Sequence, residues 1–328
     1  MYLFAKRFRP IAVFLLACAS LGFLSAQKLP PVEADAIKQL NSSPRHGEWQ
    51  TYDAGGGDKV NAWIVYPERA DKAPVVILIH EIFGLTDWVR AVADQFAAEG
   101  FIAIAPDFLS GKGPDGKGSA AAGPDGARAL IGQLQNAEIV RRLNATSKFG
   151  TSLPSAAKQF AVVGFCWGGG ISFSYATQQP DLGAAVVYYG TAPAMDSLKN
   201  IRAPVLGLFG GSDERVNATV RPAATEMLKL GKSIETFMYE GAGHAFLRQQ
   251  DGQNGANLLA AKAAWPKTID FLKKALAAKT SEQLFDRMQI VMPKLAADVA
   301  MKLGQDPAAI GQKTTTTDIA VLSPVHQH

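Results

Sequence analysis

The sequence predicts a doubly wound α/β protein: a central, mostly parallel sheet with helices on both faces and an antiparallel edge. Three observations carry that prediction. Short continuous apolar runs, such as Val75 to Ile79, Phe101 to Ala105 and Ala184 to Tyr189, suit strands buried on both faces. Longer amphipathic stretches of helical period alternate with them. No repeat of fixed period runs through the chain, which excludes solenoids and propellers.

The first elements read as an antiparallel hairpin or meander, Trp49 to Tyr52 and Val60 to Val65, joined across Gly55-Gly56-Gly57-Asp58. The three named runs are followed in kind by Gln159 to Val163, Val205 to Phe209 and the more polar Ile234 to Tyr239. Helices are expected at Asp87 to Glu99, Ala127 to Ala145, Gly169 to Gln178, Arg221 to Leu230 and Ala256 to Leu276. Gly111 to Gly126, with six glycines and two prolines, reads as a flexible surface loop after a strand end. Beyond Lys279, Leu284, Met288, Val291, Leu295 and Val299 recur at helical spacing. Thr280 and Gln283 would cap that helix, and Pro293 would kink or restart it. The expected organisation is a leader over 1–26, one α/β domain over 27–279, a helical extension over 280–304 and a disordered tail over 305–328.

Composition narrows the function. The chain has 328 residues, 48% of them hydrophobic and 19% charged, as an ordinary globular protein does. Two cysteines exclude a disulfide-rich scaffold or a four-thiolate zinc site. Of the net charge of +4, Lys6, Arg7 and Arg9 supply a large share, and the rest of the chain is close to neutral. No basic stripe marks a nucleic-acid partner. His46, His80, His326 and His328 have no partner at metal-ligand spacing, so no metal is assigned.

Lys6-Arg7-Phe8-Arg9, the apolar run Ile11 to Leu24 and the small residues Ser25-Ala26 form the layout of a secretory signal. The run is shorter than the ~20 residues a membrane-spanning helix requires. Cleavage after Ala26 is expected, giving a secreted, periplasmic protein. Leu15-Leu16-Ala17-Cys18 offers an alternative lipoprotein box, and membrane attachment is expected only if Cys18 is lipidated. After cleavage at Ala26, Cys166 is the one remaining thiol.

That thiol lies in Gly164-Phe165-Cys166-Trp167-Gly168, a strand-to-helix turn of the nucleophile-elbow type with cysteine in place of serine. Small flanking residues suit the sharp turn, and the following helix N-terminus favours a thiolate. Asp213 falls just beyond the strand Val205 to Phe209, and His244 just beyond Ile234 to Tyr239. The chain order is nucleophile, acid, base, with each group at the carboxyl end of a strand. In that triad His244 activates the water that releases an acylated thiol, and Asp213 fixes its tautomer. A competing reading makes the protein a non-catalytic envelope protein on a hydrolase scaffold, with Cys166 as a ligand-binding or redox site.

With His80-Glu81-Ile82-Phe83-Gly84-Leu85, Ala105-Pro106-Asp107, Tyr188-Tyr189-Gly190, Gly210 to Val216 and Gly243-His244-Ala245-Phe246, these residues resemble the dienelactone hydrolase family from about Trp49 to Leu276. The resemblance implies an α/β-hydrolase fold and hydrolysis of a small ester or lactone without a cofactor. It implies that Glu81 contacts the resting thiol and assists its deprotonation, and that the backbone N–H groups of Ile82 and Trp167 form the oxyanion hole. It also implies two arginines for a substrate carboxylate. Arg248 matches one. The other would fall near Gly111, where only Lys112 offers a cation, without the bidentate fork. Too few residues separate Tyr189 from Ala203 for a helical lid, so an open site is expected; the sequence does not fix the oligomeric state, and a monomer is favoured.

Overall fold

The computed structural model describes residues 28–277. The leader over 1–26, the helical extension over 280–304 and the tail over 305–328 lie outside the described residues. Eight strands form one sheet in the order β1-β2-β4-β3-β5-β6-β7-β8. They are β1 (Gly47–Asp53), β2 (Lys59–Val65), β3 (Ala73–Ile79), β4 (Ile102–Pro106), β5 (Ala156–Phe165), β6 (Ala185–Tyr188), β7 (Val205–Gly210) and β8 (Ile234–Tyr239). The pairs β1/β2 and β2/β4 are antiparallel, and every other pair is parallel. This is the predicted parallel sheet with its antiparallel edge.

Strand periodicity explains the two apolar layers. Alternate residues of β3 point to opposite faces: Val76 and Leu78 join one core, and Val75, Ile77 and Ile79 the other. Helix α2 (Asp87–Ala98) and the last helix, α7 at 256–277, cover the first face with Trp88, Phe96, Trp265 and Ile269. Helices α4 (Asn136–Ser152), α5 (Trp167–Ala176) and α6 (Glu214–Lys229) cover the second with Leu143, Phe173 and Val216. Truncating any one of the buried aromatics to alanine is worth about 3–5 kcal/mol by the general case. A short helix α1 (Ala36–Ser42) precedes the sheet and packs on α2.

Three expected elements differ from the structure. The helix expected over Ala127 to Ala145 is two helices, α3 (Ser119–Ile131) and α4, broken across Gly132 to Gln135. Part of the expected loop Gly111 to Gly126 is helical, a 3-10 turn at Pro114–Gly116 and the first residues of α3, with a non-helical kink at Gly123. Asp107, just past β4, accepts hydrogen bonds from the Ser119 amide (2.8 Å) and hydroxyl (2.5 Å), which fixes the start of α3. Helix α6 begins at Glu214 and runs through Pro222, which sits on its exposed face, where water can take the carbonyl that proline leaves unpaired.

Candidate active site

Strand β5 delivers Cys166 to the sheet's carboxyl edge in a left-handed backbone conformation, φ +55°. Such a conformation is costly for a residue with a side chain and holds only where its surroundings enforce it. The glycines enforce it here. A Cβ on Gly164 would stand 1.8 Å from the Gly168 carbonyl oxygen, and one on Gly168 would stand 2.1 Å from that of Ile79. The turn closes because both positions lack a side chain. The Cys166 amide then donates to the Tyr188 carbonyl (3.1 Å), tying the turn to β6.

The loops after β7 and β8 bring the other two groups to the thiol. His244 Nε2 lies 3.0 Å from Cys166 Sγ, and its Nδ1 lies 2.5 Å from Asp213 Oδ2. A carboxylate is acceptor only, so Nδ1 carries the hydrogen and Nε2 is free to accept the thiol proton. Burial and, after it, the negative charge of Glu81 push the Cys166 thiol up to about 11, against the backbone N–H groups of Trp167 and Ile82 and the charge of Arg215. The resting group is therefore a thiol, and its proton has one short path, to His244. The same two N–H groups reach the sulfur from two separate loops, Ile82 after β3 and Trp167 at the start of α5.

His80 holds the Ile82 arm in place. Its Nδ1 donates to the Glu81 carbonyl (2.8 Å), its Nε2 accepts from the Phe108 amide (3.2 Å), and its ring stacks on Trp167 at 5.6 Å. Burial lowers its pKa, which keeps it neutral and consistent with one donating and one accepting nitrogen.

Two expected roles look different in the folded chain. Glu81 is buried, with Oε2 2.6 Å from Arg248 Nε in an ion pair without hydrogen-bond alignment, and forms no hydrogen bond to Cys166; neither Glu81 Oε1 nor Arg248 Nε has a hydrogen-bond partner among the described residues. A guanidinium at that distance is a stronger partner for a carboxylate than a neutral thiol, so the resting sulfur turns to His244 instead. Burial raises Glu81 to about 7, with Arg248 lowering it and Glu33 raising it. Arg248 itself is buried, stacks 5.2 Å from the centre of the Phe83 ring and contacts a second carboxylate, Glu33 Oε2, at 2.5 Å through Nη1. Lys112 lies 3.1 Å from Glu138 on α4, engaged away from the thiol.

The thiol opens on a cleft of about 450 Å³ lined by Ile82, Cys166, Trp167, Tyr189, Thr191 and Arg215 among others. A larger groove of about 890 Å³ beside β1 and α4 holds none of the site residues. Arg215, on the first turn of α6, and Tyr189, buried at φ +40°, lie in segments that carry the family resemblance but have no role assigned from the sequence. The signal for Arg215 was its position two residues after Asp213. Among the described residues no cluster of three or more His, Cys, Asp or Glu side chains could hold a metal ion.

Sheet order, strand-end placement of the three groups and the turn at Cys166 define an α/β-hydrolase. The dienelactone hydrolase family model matches residues 60–276, and the chain belongs to that family. A Salmonella typhimurium protein named as a carboxymethylenebutenolidase is 30% identical over 227 residues, covering 66% of this chain and 83% of its own. The Aquifex pyrophilus protein named usf is 32% identical over 232 residues, covering 67% and 95%. A crystal structure from Klebsiella pneumoniae, described as a dienelactone hydrolase, superposes with TM-score 0.61 at 25% identity, covering 70% of this chain and 98% of that one. By its family the chain is a hydrolase of esters or lactones.

Proposed function

We propose that the protein cleaves a small carboxylic ester or lactone through a thioester on Cys166. The observation that carries this reading is the unbroken line Cys166 Sγ, His244, Asp213, with contacts of 3.0 and 2.5 Å. In the first half-reaction His244 Nε2 takes the thiol proton as sulfur bonds to the carbonyl carbon. The carbonyl oxygen gains the negative charge and is held by the Ile82 and Trp167 N–H groups, a stabilisation worth a few kcal/mol in the general case. Collapse breaks the C–O bond, and the imidazolium returns its proton to the leaving oxygen. In the second half-reaction His244 deprotonates water, hydroxide adds to the thioester, and the C–S bond breaks with return of the proton to sulfur.

Asp213 steadies the imidazolium at each stage. Glu81, paired with Arg248, raises the thiol through its charge and so opposes ionisation of the resting sulfur. The open cleft fits a small acyl group. The basic, then apolar, then small-residue leader supports export to the periplasm, which comparison of cell fractions against a variant lacking residues 1–26 would test.

The direct kinetic test is p-nitrophenyl acetate. A burst or steady release of p-nitrophenol is expected from the intact protein, with kcat/KM reduced at least ~10³-fold in Cys166→Ala. Equal rates in the two proteins would overturn the reading.

A further inference from the structure

The residues ahead of the sheet are laid against the active-site side of the molecule by a chain of specific contacts. Ser43 and Arg45 both bond the buried Asp94 of α2, with Arg45 Nε at 2.9 Å. The Trp88 indole N–H donates to the Pro31 carbonyl (3.0 Å), and the Gln250 side-chain amide donates to that of Pro30 (2.8 Å). The Glu33 amide donates to the Arg248 carbonyl (3.3 Å). These anchors carry the Glu33 carboxylate to Arg248 Nη1, on the solvent side of a guanidinium whose Nε already faces Glu81.

Arg248 has a side-chain exposure of 9%, whereas that of Glu33 is 53%. The exposed carboxylate is the cover, and the buried cation is what it covers. A guanidinium whose Nη1 takes one carboxylate oxygen can take that of another carboxylate instead. The tethered one competes at a high effective concentration, because the strap is pinned on both sides of it. Arg248 also belongs to the nucleophile's surroundings: it pairs with Glu81 (2.6 Å), whose charge acts on Cys166, and buried Tyr189 interacts electrostatically with Glu81, Arg248 and Cys166 alike. Arg248 is absent from the lining of the open cleft, which reaches from the thiol toward Arg215 instead.

We infer that Glu33 is a specificity residue, a carboxylate supplied by the chain itself that occupies Arg248 and keeps a carboxylate-bearing acyl group from docking there. This rests on the thioester reading of the site. The substrate class it implies is an ester or lactone whose acyl part is uncharged on the Arg248 side. The occupancy is reversible in principle, since one half-exposed side chain carries it.

The test compares p-nitrophenyl acetate with mono-p-nitrophenyl succinate in the wild type, Glu33→Gln and Asp35→Asn. In Glu33→Gln the succinate-to-acetate ratio of kcat/KM should rise about tenfold, the scale of one unscreened charge contact. Asp35→Asn removes the same charge from an exposed site on the same strap and should leave the ratio where it was. Free succinate should inhibit Glu33→Gln more strongly than wild type, and the gain should disappear in Glu33→Gln with Arg248→Met. Inhibition by free succinate gives the same answer if that double variant does not fold. An unmoved ratio and unmoved succinate inhibition in Glu33→Gln, with Cys166-dependent acetate hydrolysis intact, would overturn this inference alone. Loss of Cys166 dependence itself would overturn the parent reading. An equal rise in Asp35→Asn would show general charge effects and also overturn it.

Discussion

The two sides of Cys166 are built by different means. On one side stand the elbow, His244 and Asp213, each within a few residues of a buried strand end and held by backbone geometry. On the other stand Glu81, Arg248 and Glu33, held to one another by charge, with Glu33 brought from 215 positions away in the sequence. The first side is rigid because moving it would break a sheet. The second can be changed one side chain at a time, and selection among substrates is more easily adjusted there than the chemistry is.

If that contrast is right, perturbing the rigid side removes catalysis, and perturbing the charged side shifts stability or preference. The largest effect is expected from Asp213→Asn. Loss of the carboxylate frees His244 to adopt the wrong tautomer, and kcat should fall by ~10³- to 10⁴-fold with little change in thermal stability. A fall of less than tenfold, measured by steady-state kinetics, would mean that Asp213 does not orient the histidine.

Next in size is Asp94→Ala, which removes the buried acceptor of Ser43 and Arg45 and leaves Arg45, 12% exposed, without its ion pair. A loss of about 3 kcal/mol is expected in denaturant unfolding, with faster hydrogen exchange over residues 28–46. Exchange unchanged in that segment would show that the strap is held by its other contacts. Because the strap carries Glu33, this variant should also move acyl preference in the direction of Glu33→Gln.

The smallest effect is the pH dependence of Glu81. Its carboxyl is raised by burial from 4.5 to about 7, so the folded protein keeps a proton that the unfolded chain releases near 4.5. The stability this contributes is fully present below about 4.5 and is lost as pH rises to about 7. In Glu81→Gln nothing titrates there. The difference in Tm, wild type minus variant, should decline across that window and flatten above it. A difference that rises with pH would mean that Arg248 holds the carboxylate ionised throughout.

The unequal legibility of the two sides follows from the same contrast. The β-strands were readable because burial on both faces writes continuous apolar runs, and the elbow because its glycines are needed within four residues of each other. Asp213 and His244 were readable because each follows a strand end. The start of α3 was not legible because Gly123, Pro124 and Gly126 signal a loop, and Gly123 does kink the helix, while its first turn is fixed by Asp107 across a chain reversal. Glu33 gave no signal at all, since one glutamate ahead of a short helix is ordinary until the fold brings it to a buried arginine. Arg248 was readable as a cation near the site, but its two carboxylate partners were not, and with them the change in its task.

The central claim is a covalent acyl group on Cys166. Its most direct measurement is intact-mass spectrometry of the protein quenched in acid during turnover of p-nitrophenyl acetate, followed by peptide mapping. The account predicts one added acetyl group, on the peptide containing Cys166, that accumulates further in Asp213→Asn if water activation is slowed more than attack. Full turnover with the acetyl group on another residue, or Cys166→Ala acquiring the same label at the same rate, would contradict it.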